Sequence, residues 1–367
     1  MIDTQNRPDA AHTEQDAKKI KRLLGWWNEV RDFDDENRRE MAIDEDFVDG
    51  DQYTEEEKLI LEARGQLPLV YNEIRLAVAW LTGTEKRSRV DWSVLPREKD
   101  DEEGAQTKTE ILKYLNDVNR FSFVRSAAFE EAVRAGRGWL EVGIRGDGEE
   151  PTYVGMESWR NIWCDPMSRK PDLSDARFVM RSKVMDLDIA QAMFPTHKER
   201  LQWESDHFEQ LTWQNRDIEL NEQRHRWHIS IFPGDADHDR PVVRIIECWY
   251  RNIENAEVLR GAFSGQIFDD RVLAHRRAIT EGRAHILSDM PRMVMRVALF
   301  TLGGYLLEEA RSPYIHGRFP FVPMYGLRRA RDGAPYGIPR QARDAQIDLN
   351  KRRSKALFAL STNKLVS

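Results

Sequence analysis

Residues 335–360, with the sequence PYGIPRQARDAQIDLNKRRSKALFAL, predict a turn followed by one long helix. Gly333 and Gly337 bracket the turn. Pro339 suits the first turn of a helix, because its missing N–H would have no helical partner there. Apolar residues then recur at helical spacing on one stripe, formed by Ile338, Ala342, Ala345, Leu349, Ala356 and Leu360. We therefore expect a long helix that buries this stripe.

The rest of the chain mixes helical and extended patterns. Apolar residues recur at helical spacing in some segments and form short β-type runs in others. The helical patterns lie at residues 20–30, at 71–81 with Gly83 as the expected C-cap, and at 269–288, and the extended patterns lie at 139–144 and 242–250. These alternations predict an α+β fold that is rich in helix.

The charge of the chain is unevenly distributed. The 367 residues carry a formal net charge of -7, and 32% of them are charged. Residues 29–62 are strongly acidic, whereas residues 325–355 are strongly basic. An acidic total argues against a protein that coats DNA tightly, because such binding needs a basic face that releases counterions. It remains compatible with a protein that DNA slides past.

Several sequence patterns of enzymes and exported proteins are absent. The chain has no GxxxxGK[ST] phosphate loop, no GxGxxG and no GxSxG. Its two cysteines, Cys164 and Cys248, form no CxxC pair, which fits a reducing compartment. Its first residues do not resemble a secretory signal, and no apolar run approaches the roughly 18 to 20 residues of a membrane helix. We expect a non-membrane protein without a bound nucleotide.

Two groups of residues could bind metal ions. His225 and His228 are three residues apart, and Asp186 and Asp188 could join Glu157 or Asp175 in a two-metal nuclease site. In a chain this charged, histidines on the surface and carboxylates on solvated faces or helix caps are the favoured interpretation. The sequence therefore predicts no catalytic residue, no cofactor and no metal, so that the protein is not expected to be an enzyme.

The basic residues of the long helix are the candidate interaction site, and they comprise Arg340, Arg343, Lys351, Arg352 and Arg353. Such side chains can contact DNA phosphates. They can equally pair with carboxylates, for which the guanidinium group offers bidentate geometry. Because residues 29–62 are acidic, we favour pairing with the acidic helices of an adjacent subunit over contact with DNA.

Three sets of short patterns occur in order along the chain. The first comprises Phe47–Tyr53, Arg64–Pro68, Asn72–Ile74 and Thr82–Gly83; the second comprises Trp163–Ser168, Asp172–Ala176 and Phe194–Pro195; the third comprises Pro335–Arg340, Asp344–Gln346 and Asn350–Ser354. Their order and spacing across residues 45–355 resemble the portal protein family of short-tailed, podovirus-type phages. Their glycines, prolines and aspartates are helix-end and turn chemistry, which is typical of a scaffold.

The resemblance implies a portal-type fold with a helical wing, channel-lining stem helices and a small mixed α/β clip. It places the wing at residues 17–200, the stem and clip at 201–325, and a long wing-type helix at 326–367, whereas the polar composition of residues 1–16 predicts a disordered arm. Family members usually continue into a crown and a barrel, so we expect that a further C-terminal part is missing here.

The resemblance also implies a structural role in the virion. The subunit would belong to a homo-oligomeric, twelve-subunit ring that forms the channel for genome packaging and ejection. Its expected partners are the terminase large subunit, tail adaptor proteins, the major capsid and scaffolding proteins, and double-stranded DNA in the channel. Assembly is expected in the host cytoplasm. The alternatives are a head-to-tail adaptor or another virion protein and, less favoured, a metal-dependent nuclease.

Overall fold

The computed structural model describes residues 14–88, 92–144, 152–213 and 241–362. The chain forms two compact units, each built from two separate segments. The first unit comprises Met1–Asp32 and Asn161–Phe319, and the second unit comprises Phe33–Arg160 and Pro320–Ser367. Most of the predicted arm, residues 1–13, lies outside the described residues, and residues 14–16 begin the first helix.

Helices and strands are mixed along the chain, as the sequence patterns predicted, and helices predominate before the first described strand. The described helices are α1 (Glu14–Asp49), α2 (Glu55–Ala63), α3 (Glu73–Arg87), α4 (Glu102–Val118), α5 (Phe121–Ala135), α6 (Leu187–Met193), α7 (Lys198–Asp206), α8 (Phe208–Trp213), α9 (Leu273–Thr280) and α10 (Ile338–Thr362). Helix α1 contributes its first part to the first unit and its second part to the second unit.

The strands form antiparallel sheets. They are β1 (Arg137–Ile144), β2 (Thr152–Glu157), β3 (Ile162–Cys164), β4 (Phe178–Asp186), β5 (Val242–Gly261), β6 (Ala284–Thr301), β7 (Leu306–Arg311), β8 (Phe321–Tyr325), β9 (Leu327–Arg328) and β10 (Pro335–Tyr336). The first unit holds the order β3-β4-β5-β6-β7, and the second unit holds β2-β1-β8 and the pair β10-β9. The predicted α+β class is confirmed.

The core of the first unit lies between its sheet and the first part of α1. Ile20, Leu23, Trp27 and Val30 recur at helical spacing and are buried against the sheet, where the rings of Trp27 and Trp163 meet edge to face with centroids 4.7 Å apart. Opposite them, Cys248 pairs with Ala298 across β5 and β6. The sequence-predicted stripe at residues 20–30 therefore marks the helix face that packs on the sheet.

The long hairpin of β5 and β6 corrects one predicted helix. Residues 269–288 were expected to be helical, but only Leu273–Thr280 forms α9, and β6 begins at Ala284. Gly282 adopts a φ of +69°, which ends the helix, and Ala284 then pairs with Gly261 across the hairpin. Hydrogen bonds to a distant strand override the local pattern here.

Helix α3 is longer than its sequence pattern indicated. Gly83 was expected to end the helix, yet the helix continues to Arg87 and Ser88 is its C-cap. Ile74 and Val78 are buried as predicted, whereas Tyr71 precedes the helix and is 44% exposed. A glycine inside a helix costs about 1 kcal/mol relative to alanine. The favourable interactions of the other α3 residues outweigh that cost.

The expected stem and clip region consists mainly of β structure. Within residues 201–325, the described part is dominated by the hairpin of β5 and β6, and residues 214–240 lie outside the described ranges. The expected boundary after residue 200 falls inside α7, whereas the compact units change at Asn161 and Pro320. The assignment of wing, stem and clip stays a prediction.

The core of the second unit gathers α1, α3, α5 and α10. Phe47, Val48, Ile74, Val78 and Val133 are buried together, and apolar residues of α10 pack against them. The predicted strand at residues 139–144 is confirmed as most of β1, which pairs with β2 and β8 beside α5. Helix α5 is thus central to this unit.

Four glycines let other backbone segments approach the last turns of α5. A β carbon at Gly337 would lie 1.9 Å from the carbonyl oxygen of Arg134, and one at Gly138 would lie 2.0 Å from that of Ala128. The corresponding distances are 2.2 Å to the carbonyl oxygen of Ala132 for Gly326 and 2.3 Å to the carbonyl carbon of Tyr336 for Gly136. The strands β1 and β8 and the start of α10 therefore contact α5 backbone to backbone.

Glu131 of α5 is a buried carboxyl group in the second unit. It accepts hydrogen bonds from the hydroxyl of Ser158, at 2.9 Å, and from the backbone N–H of Trp159, at 3.3 Å. Burial raises the pKa of Glu131 from the ordinary 4.5 to about 8; the bond from Ser158 opposes this rise and the nearby Glu45 adds to it. At neutral pH the folded protein therefore keeps this carboxyl protonated.

The protonation of Glu131 predicts a pH-dependent stability. The unfolded chain releases this proton near pH 4.5 and the folded chain only near pH 8, so the stabilisation is complete below the lower value and is lost as pH rises through the upper one. The Glu131→Gln variant cannot ionise, and its amide can still accept from Trp159 and donate to Ser158. Denaturant unfolding at about pH 5 and pH 9 should show the variant more stable than the parent at pH 9 only; equal pH profiles would contradict the prediction.

Candidate interaction site on the basic helix

Helix α10 carries all five of the predicted site residues, and two of them bind the acidic part of α1 in the same chain. The Nε atom of Arg340 lies 2.9 Å from Oδ2 of Asp44, and its Nη1 donates to Oδ1 of Asn37 at 2.9 Å. Arg343 contacts Glu40 and places its Nε 3.0 Å from Oδ1 of Asp44, an ion-pair contact rather than a well-directed hydrogen bond. One carboxylate therefore joins two guanidinium groups.

Asp44 is fully buried at the centre of this arrangement. Its side chain is 0% exposed, and those of Arg340 and Arg343 are 17% and 14% exposed. Burial raises the pKa of Asp44 to about 6, although the two guanidinium groups oppose the rise. Near neutral pH the group is mostly ionised, so the cluster acts as a charged internal link between α1 and α10.

The other three basic residues are more accessible. Nζ of Lys351 lies 3.4 Å from Oε1 of Glu57, and Nε of Arg352 lies 2.8 Å from Oδ2 of Asp348 one turn earlier in α10. The guanidinium of Arg353 lies over the ring of Tyr71, 5.8 Å from its centroid. Arg352 is 79% exposed, so a second partner can reach it.

Basic residues of α10 pair with carboxylates, which is the type of partner that the sequence predicted. The carboxylates of Glu40, Asp44 and Glu57 all lie in the acidic stretch at residues 29–62, but they pair with α10 within one chain. The sequence favoured the acidic helices of an adjacent subunit. Whether the five basic residues also face a neighbouring subunit or DNA stays a prediction.

Beyond its first turns, the fully buried residues of α10 are polar, which the sequence analysis missed. Gln346, Asn350 and Ser354 are buried at four-residue spacing, whereas Ala345, Ala356 and Leu360 of the predicted apolar stripe are exposed. The amphipathic pattern is therefore correct for Ile338 and Ala342 at the start of α10 and wrong for the later turns. The polar residues Gln346, Asn350 and Ser354 are here called the polar row.

The polar row hydrogen-bonds the backbone that precedes α3. Gln346 accepts from the N–H of Glu73 at 3.1 Å and donates to the carbonyl of Tyr71 at 2.6 Å. Asn350 accepts from the N–H of Tyr71 at 3.0 Å and donates to Gln52 at 2.6 Å. Buried backbone groups outside regular structure need such partners. The only sequence signal was the i, i+4, i+8 spacing of short polar residues.

The three sets of patterns now have structural roles. The polar row and Gln52 join the first and third sets within the second unit. Residues 165–176 of the second set form a loop of the first unit that two aspartates hold, whereas Phe194–Pro195 follows α6. Oδ2 of Asp165 accepts from the N–H of Arg177 at 2.7 Å. Asp175 accepts from the hydroxyl of Ser168 at 2.7 Å and from the N–H of Arg169 at 2.8 Å.

The residues considered for a metal site are distributed as follows. Asp175 is engaged in the loop just described, where hydrogen bonds, that from the N–H of Arg169 foremost, lower its pKa to about 2. Asp188 is exposed and accepts from the N–H of Ile189, and His225 and His228 lie outside the described residues. Within the described ranges, no group of three or more His, Cys, Asp or Glu side chains is placed to hold a metal ion.

The helices of the described ranges are short or polar relative to a lipid bilayer. Among those residues, no helix combines the length and the apolar character needed to cross a membrane.

Comparison with protein families gives a match that covers nearly the whole chain. Residues 24–367 match the family model described as phage P22-like portal protein. No curated protein matches the sequence. The match includes both compact units and all three sets of patterns, and it agrees with the resemblance to podovirus-type portal proteins.

Proposed function

The chain belongs to the P22-like phage portal protein family, and on this premise we propose that it is a subunit of a closed portal ring that forms the DNA channel at one capsid vertex. The family is structural rather than enzymatic, and its members are components of the virion. The proposed ring has twelve subunits, serves genome packaging and ejection, and is assembled in the host cytoplasm. Residues 17–200 and 326–367 are proposed as the wing, and residues 201–325 as stem and clip.

The surface of the second unit supports assembly with further copies. Large apolar side chains that are at least half exposed concentrate there, including Leu59, Ile60, Leu67, Leu76, Trp80, Leu95, Ile111 and Phe123. The family match over residues 24–367 is the observation that carries the proposal; these exposed side chains are compatible with it, because a ring subunit needs two patches that its neighbours cover.

The partners proposed for the ring are the terminase large subunit, tail adaptor proteins, the major capsid and scaffolding proteins, and double-stranded DNA in the channel. The net charge of -7 supports a channel that DNA passes without strong binding, because each neutralised phosphate would add salt-dependent affinity.

The ring is tested directly on the purified protein. Negative-stain electron microscopy should show closed rings, and analytical ultracentrifugation should show one large species whose mass is a fixed multiple of the subunit mass. Monomers or dimers alone, at every accessible concentration, would contradict the proposed function.

The exposed basic residues of α10 separate a subunit contact from a DNA contact. We expect that the Arg352→Glu, Arg353→Glu double variant lowers ring assembly and leaves the weak affinity for DNA nearly unchanged, because these side chains are proposed to face a neighbouring subunit. Assembly is measured by ultracentrifugation and DNA affinity by fluorescence anisotropy across a salt series. Arg343 is left intact because it holds Asp44. Normal rings with lost DNA binding would identify a DNA contact instead.

A further inference from the structure

Helix α3 presents apolar side chains on two faces. Ile74, Val78 and Thr82 are buried against the core of the second unit. On another face, Leu76, Ala79, Trp80 and Gly83 follow the i, i+3, i+4, i+7 spacing of a packed helix surface. Leu76 is 63% exposed and Trp80 is 65% exposed. This second face, here called the α3 outer face, has the pattern of a buried surface, but its chain leaves it open to solvent.

Helix α4 also presents apolar side chains on an exposed face. Of its 17 residues, all of which are described, only Ala105 is buried. Gly104, Thr107, Ile111, Tyr114 and Val118 alternate at intervals of three and four residues, as in the seam of a coiled coil. Ile111, Tyr114 and Val118 are 52%, 53% and 40% exposed. These five residues are here called the α4 outer face.

The charges beside the two faces are mostly of opposite sign, with Glu73 on α3 and Lys108 on α4 as exceptions. Arg75, Lys86 and Arg87 are exposed along α3 next to its outer face. Glu103, Glu110 and Asp117 recur every seven residues on α4, each one position before Gly104, Ile111 or Val118, and all three are exposed. This is the flanking position at which charges select the partner helix of a coiled coil.

Each outer face also contains a glycine that its own chain does not require. A β carbon at Gly83 or Gly104 would meet no atom within 4 Å, and neither residue has a positive φ. Glycine inside a helix is otherwise unfavourable. By contrast, the glycines around α5 are explained by contacts that leave no room for a side chain. Close approach of a second helix would explain Gly83 and Gly104 in the same way.

We infer that the α3 outer face of one subunit packs against the α4 outer face of the next subunit, an inference that rests on the proposed ring. The basic margin of α3 meets the acidic margin of α4 in this contact. Packing α4 against α4, or α3 against α3, brings mostly like charges together, which disfavours a symmetric dimer. A contact between two unlike patches leaves one free patch at each end of the pair, so that further copies add until the ring closes.

Single substitutions on each outer face test the inference. Trp80→Glu and Ile111→Glu each place a charge in the contact, and we expect each to reduce ring assembly at least about tenfold by ultracentrifugation, in the range expected for a buried interface residue. Both side chains are more than half exposed, so circular dichroism and thermal melting of the subunit should match the parent. Met167→Glu is the matched control: Met167 is 77% exposed in the first unit, and rings should form normally.

Mixing the two variants tests the pairing itself. The Trp80→Glu subunit keeps its α4 outer face, and the Ile111→Glu subunit keeps its α3 outer face. An equimolar mixture of the two monomers should therefore give a heterodimer and no larger species. If neither variant associates in the mixture, the two faces do not bind each other and the inference is wrong, even when each variant alone is monomeric.

The Gly83→Leu variant separates the subunit's own stability from the contact. Leucine favours the helix over glycine, and space is open around position 83. The variant should melt at a higher temperature than the parent and assemble more weakly. Unchanged assembly would contradict the close approach at Gly83.

The outcomes distinguish this inference from the proposed function. If the parent and both face variants form rings, the ring proposal stands and the pairing of α3 with α4 is wrong. If the parent forms no ring, the proposed function fails first. Assembly that depends on a different added protein, with the parent alone monomeric, would assign the outer faces to that protein and overturn the contact between copies.

Discussion

The Asp44→Ala variant should lose about 3 to 5 kcal/mol of unfolding free energy, the range observed when one partner of a buried ion pair is removed. The substitution leaves the guanidinium groups of Arg340 and Arg343 without their shared carboxylate in a site that is at most 17% exposed. Nη2 of Arg340 is already buried without a hydrogen-bond partner among the described residues. Urea unfolding followed by circular dichroism measures the loss.

The Asp348→Ala variant is the matched control for Asp44. Asp348 also pairs with an arginine of α10, Arg352, but both side chains are more than half exposed, so the loss should stay below about 1 kcal/mol. Adding Arg340→Met and Arg343→Met to Asp44→Ala should recover part of the stability, because apolar side chains of similar size replace buried ion pairs at little cost. Equal losses in the Asp44 and Asp348 variants would show that burial does not govern this cluster.

The Gly337→Ala variant should lose about 1 to 3 kcal/mol or more, the range for an added methyl group in a closely packed site. The new β carbon would lie 1.9 Å from the carbonyl oxygen and 2.5 Å from the carbonyl carbon of Arg134. These are backbone atoms of α5, so the start of α10 must shift instead of a side chain. Thermal and urea unfolding of the purified variant measure the effect.

The Gly155→Ala variant is the control for Gly337. A β carbon at Gly155 of β2 meets no atom within 4 Å, and the residue does not have a positive φ. It should therefore be as stable as the parent or slightly more stable, because alanine restricts the unfolded chain. If Gly337→Ala is also neutral, the close approach of α10 to α5 is not a constraint on the fold.

Function was predictable from the sequence at the level of the family. The order of Phe47–Tyr53, Trp163–Ser168 and Pro335–Arg340 resembled podovirus-type portal proteins, and the family match over residues 24–367 confirms this. The candidate site was only partly predictable. The sequence identified charged residues on α10 and the acidic stretch that contains their partners, but charge alone does not say whether two groups belong to one chain.

The elements that the sequence determined by itself are those with strong local patterns. The helix stripe at residues 20–30 and the apolar runs of β1 and β5 have the periodicity of their structures, and Thr54 with Glu57 forms the capping box that begins α2. These features depend on neighbours a few residues away, so that reading the sequence in short windows is sufficient to identify them.

Only the tertiary structure decided which face of α10 is buried, where α9 ends and how α5 is enclosed. The polar row is buried because the backbone around Tyr71 needs hydrogen-bond partners, and Asn350 is 279 residues away from it along the chain. The helix predicted across residues 269–288 gives way to β6 because β5 supplies a strand partner. Position 337 needs glycine because the backbone carbonyl of Arg134, which lies far away in the sequence, leaves no room for a β carbon. Contacts between distant segments have no local periodicity, so the sequence pattern around either partner alone could not indicate them.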